Sequence, residues 1–555
     1  MGIVWNVVLE VGWAGFMNRI LRTSFNCWLV SLVFFLSTTS KAIFIDGNGY
    51  YSLLGETRNH PGFDSGGGLF QAAKQNFHLK AEIRANDRAS FFTEFRLFAD
   101  PRQAYLGDTA EPGECSVEDI SSSKTGNATT CTDRHQNSGE PRYRSYYPRI
   151  TEAYTQYAFD SCLFSAGRRS RHWGMGIFLH GGKGPFDTDA SVFDGFSCDF
   201  NIQKSQTLAF SIGYDKLSET GTSTSFGSNN DTDDEDEYGA TNPSDDLDQY
   251  FFTIEYNDRK ANSSTSFSQQ VGFYFANIVG SKEDLETDIK IADLFLSFYM
   301  PRLVIKQEVV FRLGKSADPS WTRLGGIRSL DNEKKVNNLT SIGAAGSIEL
   351  FLSRSGSIVG PEEYNEGNAK SHSIFIDYAY APGDRDGYSD EYEILTNDDG
   401  LTIGRELRST DVTAMAFHRN FKPALLLFNA PAEKDNLRVD GIFDPGRVMN
   451  ASVISTGYRY QSIESGNFEL KLIMAQLNKT MPDSLKDSDQ GLGLIGYGGD
   501  TLGLELDLKY DRNLGKGVLL GIAGAIANPG KAWKKNPNDD PVTNYLLQSF
   551  IAFRF

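Results

Sequence analysis

The residues best suited to nucleophilic catalysis surround His372, which is flanked by Ser371 and Ser373. Serine-dependent catalysis needs a histidine and a serine on one surface, with a third residue that orients them. Adjacent residues of a β-strand point to opposite faces, so neither serine can share a face with His372. We therefore expect no enzyme activity.

Acidic residues form two candidate calcium sites, because hard cations bind several carboxylates on a turning backbone. One is the run 231–237, and the other contains Asp384, Asp386 and Asp390. The second lacks the twelve-residue pattern of a calcium-binding loop, and charge runs are usually hydrated loops. No histidine has ligand spacing to the cysteines. The sequence therefore predicts no cofactor and no metal site beyond these calcium candidates.

The first 42 residues have the order of a secretory signal peptide. Arg19 and Arg22 precede the apolar run 27–36, and small residues follow up to Ala42. This order is typical of secretory leaders, and the run is shorter than the ~20 apolar residues of a spanning helix. We expect translation to start at Met17 and the mature chain to comprise residues 43–555.

Four cysteines remain after the leader is removed. An even number in an exported chain favours two disulfides. Cys115 and Cys131 share one long loop, and Cys162 and Cys198 lie near the same ends of consecutive predicted strands. We expect both pairs to be structural.

The elements that carry these residues are predicted to be membrane strands. In the last eleven residues, the apolar side chains fall on one side of a two-residue period: Tyr545, Leu547, Ile551, Phe553 and Phe555. Such alternation fits a strand with lipid on one face and a polar environment on the other. The chain is 12% aromatic with 54 Gly and 18 Pro, which favours strands, tight turns and interfacial aromatic girdles.

Alternating segments separated by turns predict a single all-β domain over residues 43–555, a transmembrane antiparallel up-and-down β-barrel. The predicted strands are 43–55, 69–84, 89–100, 148–159, 163–172, 190–202, 206–217, 248–258, 263–279, 288–299, 303–314, 338–353, 371–382, 447–460, 467–478, 501–512, 517–528 and 545–555. That gives about 18 strands with short periplasmic turns and long extracellular loops. Sixteen or twenty remain open, because residues 411–428 could form an extra hairpin, but both chain ends in the periplasm require an even number.

A barrel of this size encloses an aqueous channel unless loops fold into it. The polar faces would line that channel, including Arg84 and Arg96 of the hairpin 77–97. Side chains of both signs indicate a transverse field across the pore rather than one uniform charge.

Short motifs in the segment 149–195 permit a family comparison. They read Glu152-Ala153-Tyr154, Gly167-Arg168-Arg169, Trp173-Gly174 and Phe193-Asp194-Gly195, and a later block spans 417–428 before Asn450-Ala451. Together they resemble the alginate-export porins, which carry a Glu-Ala-Tyr strand, a Gly-Arg-Gln strand, a Trp/Gly loop and a Phe-Asp-Gly strand. Thr151 and Arg169 stand where that family tends to place arginine and glutamine.

The resemblance implies an eighteen-stranded barrel whose arginine-rich constriction passes an anionic polysaccharide by diffusion. It assigns Arg168 as a lumenal arginine beside Arg169, Glu152 as its acidic neighbour, Asp194 as an acidic lumen residue and Arg419 as a constriction residue. These roles rest on the motif matches alone.

The sequence thus predicts a bacterial outer-membrane porin that passes small or anionic solutes, including anionic saccharides. The alternative is a structural or surface protein with a plugged lumen or a role in an oligomer. The net charge of −18 argues against nucleic acid as a partner. Expected partners are outer-membrane lipid, lipopolysaccharide, a second copy of the chain, and the barrel-assembly machinery through Phe555.

Overall fold

The structure is a computed structural model, and only part of the chain is described. The described residues are 44–59, 63, 69–97, 149–187, 190–201, 207–219, 246–258, 267–280, 287–316, 337–355, 370–383, 392–396, 402–407, 411–418, 420–429, 447–462, 464–480, 499–515, 517–534 and 540–555. Cys115, Cys131, Arg419 and the calcium candidates Asp384, Asp386 and Asp390 lie outside them.

The described part of the chain is built almost entirely from β-strands. The first thirteen are β1 (Phe44–Asn59), β2 (Leu69–Asn86), β3 (Ala89–Leu97), β4 (Arg149–Ala158), β5 (Leu163–Ser170), β6 (Val192–Asn201), β7 (Thr207–Glu219), β8 (Asp246–Asp258), β9 (Ser268–Gly280), β10 (Thr287–Tyr299), β11 (Leu303–Ser316), β12 (Asn337–Ser355) and β13 (Lys370–Ala381). The others are β14 (Tyr392–Thr396), β15 (Thr402–Leu407), β16 (Asp411–Val412), β17 (Ala451–Ser462), β18 (Asn467–Leu477), β19 (Thr501–Asn513), β20 (Val518–Pro529) and β21 (Asn544–Arg554). A 3-10 turn covers Lys531–Trp533.

Eighteen of these strands form one closed antiparallel barrel. Strands β1–β13 and β17–β21 pair in chain order, and β21 pairs with β1 from Tyr50 opposite Arg554 to Arg58 opposite Leu546. The predicted fold class and the count of eighteen are confirmed. The described residues of 411–428 add no hairpin to the wall; Asp411–Val412 pair in parallel with β12, and Ala416 forms an isolated bridge with Met449.

Both ends of the described chain lie at one end of the barrel, the turn end. There the backbones of Gly49 and Phe555 exchange hydrogen bonds of 2.9 and 3.0 Å. The short connections 87–88, 159–162 and 300–302 lie at the same end, and the strand ends from which the longer connections leave define the opposite, loop end. The even strand number follows from this arrangement.

The wall separates an apolar outer face from a more polar lumenal face. On β11, Ile305, Val309, Phe311 and Leu313 point outward, whereas Lys306, Glu308 and Arg312 point into the lumen, as the two-residue period of the strand requires; Glu308 and Arg312 are buried there. The exposed outer side chains also include Ile348, Leu472, Leu506, Ile522, Tyr545, Leu547, Phe553 and Phe555. An exposed apolar belt of this extent is the surface that a barrel presents to lipid.

A bulge interrupts the alternation of β19. Gly503 has φ +132°, and a Cβ at this position would lie 2.4 Å from the carbonyl oxygen of Asn528. Leu502 consequently turns into the lumen and is fully buried, whereas regular alternation would place it on the outer face with Leu504.

Cys162 and Cys198 form a disulfide with a Cα–Cα distance of 5.8 Å. It links the turn before β5 to β6, so this predicted pair is confirmed. Within the described ranges, no helix is both long and apolar enough to cross a membrane.

Two segments fold from the loop end into the lumen and bury apolar side chains against the wall. We call residues 171–187 inner loop A and residues 413–429, without residue 419, inner loop B. Their buried apolar residues include Trp173, Ile177, Leu179, Met415, Phe417, Leu426, Leu427 and Phe428. The lumenal face is therefore polar toward the turns and largely apolar where these segments dock.

Candidate lumenal binding site

Inner loop A is fixed at its tip to the wall formed by β10 and β11. The backbone N–H of Met175 donates to Glu308 Oε2, and the carboxyl of Asp293 on β10 interacts with the Glu308 carboxyl. Gly174 has φ +56°, and a Cβ there would lie 2.5 Å from Glu308 Oε2. Only glycine permits this close approach of the backbone to the carboxylate.

The returning half of inner loop A binds the opposite wall, on β1 and β2. Tyr50 Oη donates to the carbonyl oxygen of Gly184 at 2.7 Å, and Asn76 Nδ2 donates to that of Asp187 at 3.1 Å. Inner loop A therefore spans the lumen from one side to the other.

Inner loop B is held by two carboxylates on β19, chiefly by Glu505. The backbone N–H groups of Leu425 and Leu426 donate to Glu505 Oε1 at 2.8 and 2.7 Å, and that of Leu427 donates to Oε2 at 2.8 Å. The N–H of Leu425 also reaches Asp507 Oδ2 at 3.2 Å. Hydrogen bonds to an ionised acceptor are stronger than neutral ones, so this contact fixes the segment firmly.

Two wall arginines hold the ends of inner loop B. Arg312 donates to the carbonyl oxygen of Ala414 at 2.5 Å, and Arg58 donates to that of Asn429 at 3.1 Å. These contacts place inner loop B across the lumen from β11 to β1.

The two inner loops meet at three histidines. The N–H of His418 donates to the carbonyl oxygen of Ile177 at 2.8 Å. The rings of His180 and His418 stack at 5.3 Å, and those of His172 and His180 lie 5.1 Å apart. Burial lowers the pKa of His172, and the positive charges of His180 and Lys183 lower it further. Among the described residues, no group of acidic, histidine or cysteine side chains could hold a metal ion.

A cavity of about 630 Å³ remains between the inner loops and the wall from β8 to β18. Residues 172–175 and 420–423 of the inner loops close the cavity on the side of the loop end. The barrel wall encloses it toward the turn end. The charged lining residues are Glu255, Lys306, Glu349, Asp377, Lys422, Arg459 and Lys471. The cavity lining therefore carries charged groups of both signs, and the expected transverse field stays a prediction.

Most wall cations beside this lumen are paired with carboxylates. Arg459 lies 3.2 Å from Glu349 and 2.8 Å from Glu469, and Lys471 lies 3.4 Å from Asp377. The same holds for the wall pairs Arg58–Glu56, Lys74–Glu56, Lys80–Glu94 and Arg96–Glu94, and Arg171 of inner loop A pairs with Asp215 of the wall. Such pairing neutralises much of the lumenal charge.

Four of the residues singled out by sequence lie on the lumenal side. Arg96 is 1% exposed and donates to Glu94 at 2.5 Å. Arg169 donates to Ser197 Oγ at 2.6 Å. Glu152 lies opposite Glu94 and accepts from Ser170 Oγ. Arg84, at the turn end of β2, pairs with Glu82 at 2.5 Å.

Arg168 and Asp194 lie on the outer face of the wall instead of in the lumen. Arg168 Nε donates to Asp194 Oδ1 at 2.8 Å, and both side chains are about half exposed, at 45% and 50%. The neighbouring residues Gly195 and Asp215 face inward, so strand alternation turns Asp194 outward. The placement implied by the family resemblance is therefore wrong for these two residues. Phe164 faces outward, and Arg168 lies an even number of residues after it on β5. The two-residue period of the strand therefore already indicated an outward position for Arg168.

The candidate catalytic constellation is separated by the wall. His372 contacts the half-buried tyrosines Tyr458 and Tyr460 on the outer face, whereas Ser373 is buried and donates to Glu349 at 2.6 Å in the lumen. His372 and Ser373 therefore occupy opposite faces, as strand alternation predicts.

Several lumenal residues were not singled out by sequence, including Lys74, Arg58, Arg171 and Lys422. The first two lie on strands whose alternation could have indicated a lumenal position. Lys422 lies in a segment with no regular period, so only the path of inner loop B reveals its position.

Searches of protein-family models and of curated proteins find no match. Among solved structures, the chain is similar to the outer-membrane protein OprD from Pseudomonas aeruginosa, with 10% identity, a TM-score of 0.42, and coverage of 93% of this chain and 96% of that chain. Similar structures also include Acinetobacter baumannii OccAB4 (10% identity, TM-score 0.40, coverage 92% and 98%) and Pseudomonas aeruginosa OpdK with vanillate (11%, 0.42, 92% and 98%). We draw no conclusion from likeness at this level. The alginate-export resemblance remains a prediction.

Proposed function

We propose that this protein is a diffusion channel of the bacterial outer membrane that passes small anionic solutes. The observation that carries the proposal is a closed eighteen-stranded barrel with an apolar exterior and a charged cavity of about 630 Å³ in its lumen. Barrels of 16–18 strands are wide enough for an aqueous channel.

Insertion in the outer membrane accounts for the exposed apolar belt. Phe555 ends the closing strand and is 59% exposed on the outer face, where the barrel-assembly machinery could bind it. Outer-membrane lipid and lipopolysaccharide are the proposed surroundings of the belt and loops.

The preference for anions rests on lysines that reach the cavity without a carboxylate partner. Lys306 and Lys422 both line the cavity, and neither has a carboxylate within 4.0 Å among the described residues. Anionic saccharides, the class that the alginate-export resemblance implies, are one candidate solute. Enzyme activity forms no part of this proposal.

Planar-bilayer recording of the purified protein tests the proposal. We expect discrete conductance steps, a reversal potential in a salt gradient that indicates anion preference, and block by an anionic oligosaccharide. A neutral oligosaccharide of the same length is the control for block. Absence of conductance steps would exclude the channel.

The second candidate function is a structural barrel with a plugged lumen. Inner loops A and B favour it, because they bury a continuous set of apolar side chains inside the barrel. The same recording separates the two functions: a plugged barrel conducts only when inner loop B is released.

A further inference from the structure

Lys422 extends from inner loop B into the water of the lumen. It lines the cavity beside Phe421 and Pro423, and its side chain is exposed to solvent. Its Nζ donates to Asn429 Oδ1 at 2.5 Å, which positions the ammonium group but does not neutralise it.

Two cations and two carboxylates surround Lys422, so the cluster that includes Lys422 has one positive charge in excess. Lys74 and Arg58 face it from the wall, together with Glu56, and Asp187 faces it from inner loop A. Glu56 is already bound by Arg58, by Lys74 at 3.4 Å and by Gln548 at 3.1 Å. An anionic group that enters this region therefore meets an ammonium group that has no carboxylate within 4.0 Å among the described residues.

We propose that Lys422 is the residue that selects the anionic group of a passing solute. This inference rests on the proposed channel function and names one residue of its lumen. The recognised group is a carboxylate, sulfate or phosphate oxygen, which an ammonium binds as a point charge. Because Lys422 belongs to an inner loop and not to the wall, its charge lies across the path of the solute.

The preference of the channel for anions over cations should weaken as the pH rises. Enclosure by the wall and the inner loops, together with the positive charge of Lys74, lowers the pKa of Lys422 to about 8, although the side chain reaches the open lumen. A lysine loses its charge as pH rises through its pKa, so anion preference is full below that value and is lost above it. The other charged groups around the cavity are His172, Glu255, Lys306, Glu349, Asp377, Arg459 and Lys471.

The test compares Lys422→Gln and Lys422→Arg with the unchanged protein in bilayers. Reversal potentials in a KCl gradient give the anion-to-cation permeability ratio at about pH 6.5 and about pH 9.5, on either side of the lysine titration. At the lower pH we expect Lys422→Gln to reduce the ratio roughly threefold, the effect of removing one unit charge a few ångströms from the ion. At the higher pH the permeability ratio of the unchanged protein should fall by a similar factor. The ratio of Lys422→Arg should not fall, because arginine keeps its charge.

Lys290→Gln is the matched control. Lys290 lies on the outer face, is paired with Asp288 at 3.7 Å and is 56% exposed, so its loss should leave the ratio unchanged. If Lys422→Gln conducts with an unaltered ratio, or if only Lys306→Gln lowers it, the proposal is overturned. Absence of conductance in every variant and in the unchanged protein would instead reject the channel itself.

Discussion

Inner loops A and B narrow the same lumen but are held by different interactions. Inner loop A is tied mainly by hydrogen bonds to opposite walls, at Glu308 on one side and at Tyr50 and Asn76 on the other. Inner loop B buries Leu426, Leu427 and Phe428 completely, and three of its backbone N–H groups converge on Glu505.

The difference shows that the chain obstructs its lumen in two ways. A segment held by scattered polar contacts can lose one contact and keep its path, because the remaining contacts lie on other strands. Inner loop B is also tied to the wall by Arg312 and Arg58, but three of its hydrogen bonds converge on Glu505 beside an apolar cluster, so a single substitution there removes a large share of its contacts. Inner loop B, which carries Lys422, should therefore be the easier of the two to release by a single substitution.

Phe428→Ala should give the largest effect. Phe428 is fully buried inside the barrel, and replacing a buried phenylalanine by alanine costs about 3–5 kcal/mol. The loss falls on the docking of inner loop B, because the hydrogen-bonded wall does not depend on this ring. Single-channel recording should show larger conductance steps.

The control for this prediction is Leu472→Ala on the outer face, where the side chain is 49% exposed. It removes apolar volume from the same barrel without touching the lumen, so conductance should stay unchanged. Equal steps in Phe428→Ala and in the unchanged protein would mean that inner loop B does not limit the flow.

Glu505→Gln should give the next largest effect. Both carboxylate oxygens of Glu505 accept backbone N–H groups, but glutamine offers one oxygen and would turn its NH₂ group toward a donor. We expect inner loop B to lose about 2 kcal/mol of stabilisation, the contribution of one hydrogen bond to a charged group. Hydrogen exchange of residues 425–427 should accelerate.

Glu469→Gln provides the comparison, since Glu469 is a lumenal carboxylate that pairs with Arg459 at 2.8 Å. Its replacement should leave the exchange of residues 425–427 unchanged. Similar acceleration in both variants would contradict the role of Glu505 as the anchor of inner loop B.

The wall could be predicted from the sequence because a strand with lipid on one side has a strict two-residue period. The eighteen strands and the faces of β11 follow from that period alone. It failed where the backbone departs from regular geometry, as at Gly503, whose positive φ reverses the orientation of Leu502. At Arg168 the family motif was given more weight than the two-residue period. The motif placed this residue in the lumen, whereas strand alternation turns it outward.

The contents of the lumen could not be predicted in the same way. Inner loops A and B have no regular period, and their positions depend on contacts far apart in sequence, such as Arg58 with Asn429 and Met175 with Glu308. The sequence left open whether loops fold into the barrel. The Trp173-Gly174 motif identified a loop at the position of inner loop A. It gave no indication that the carboxylate of Glu308 binds this loop.

Glu308→Gln should give the smallest effect, although Glu308 anchors inner loop A as Glu505 anchors inner loop B. The glutamine oxygen can still accept the N–H of Met175, and its NH₂ group can donate to Asp293, whose carboxyl interacts with that of Glu308. Because the change removes a contact between two acidic groups while keeping the hydrogen bond, we expect stability to change by less than about 0.5 kcal/mol. Conductance and urea-unfolding midpoints should match those of the unchanged protein. A loss as large as that of Glu505→Gln would show that both inner loops depend on an ionised anchor, and the contrast between them would fail.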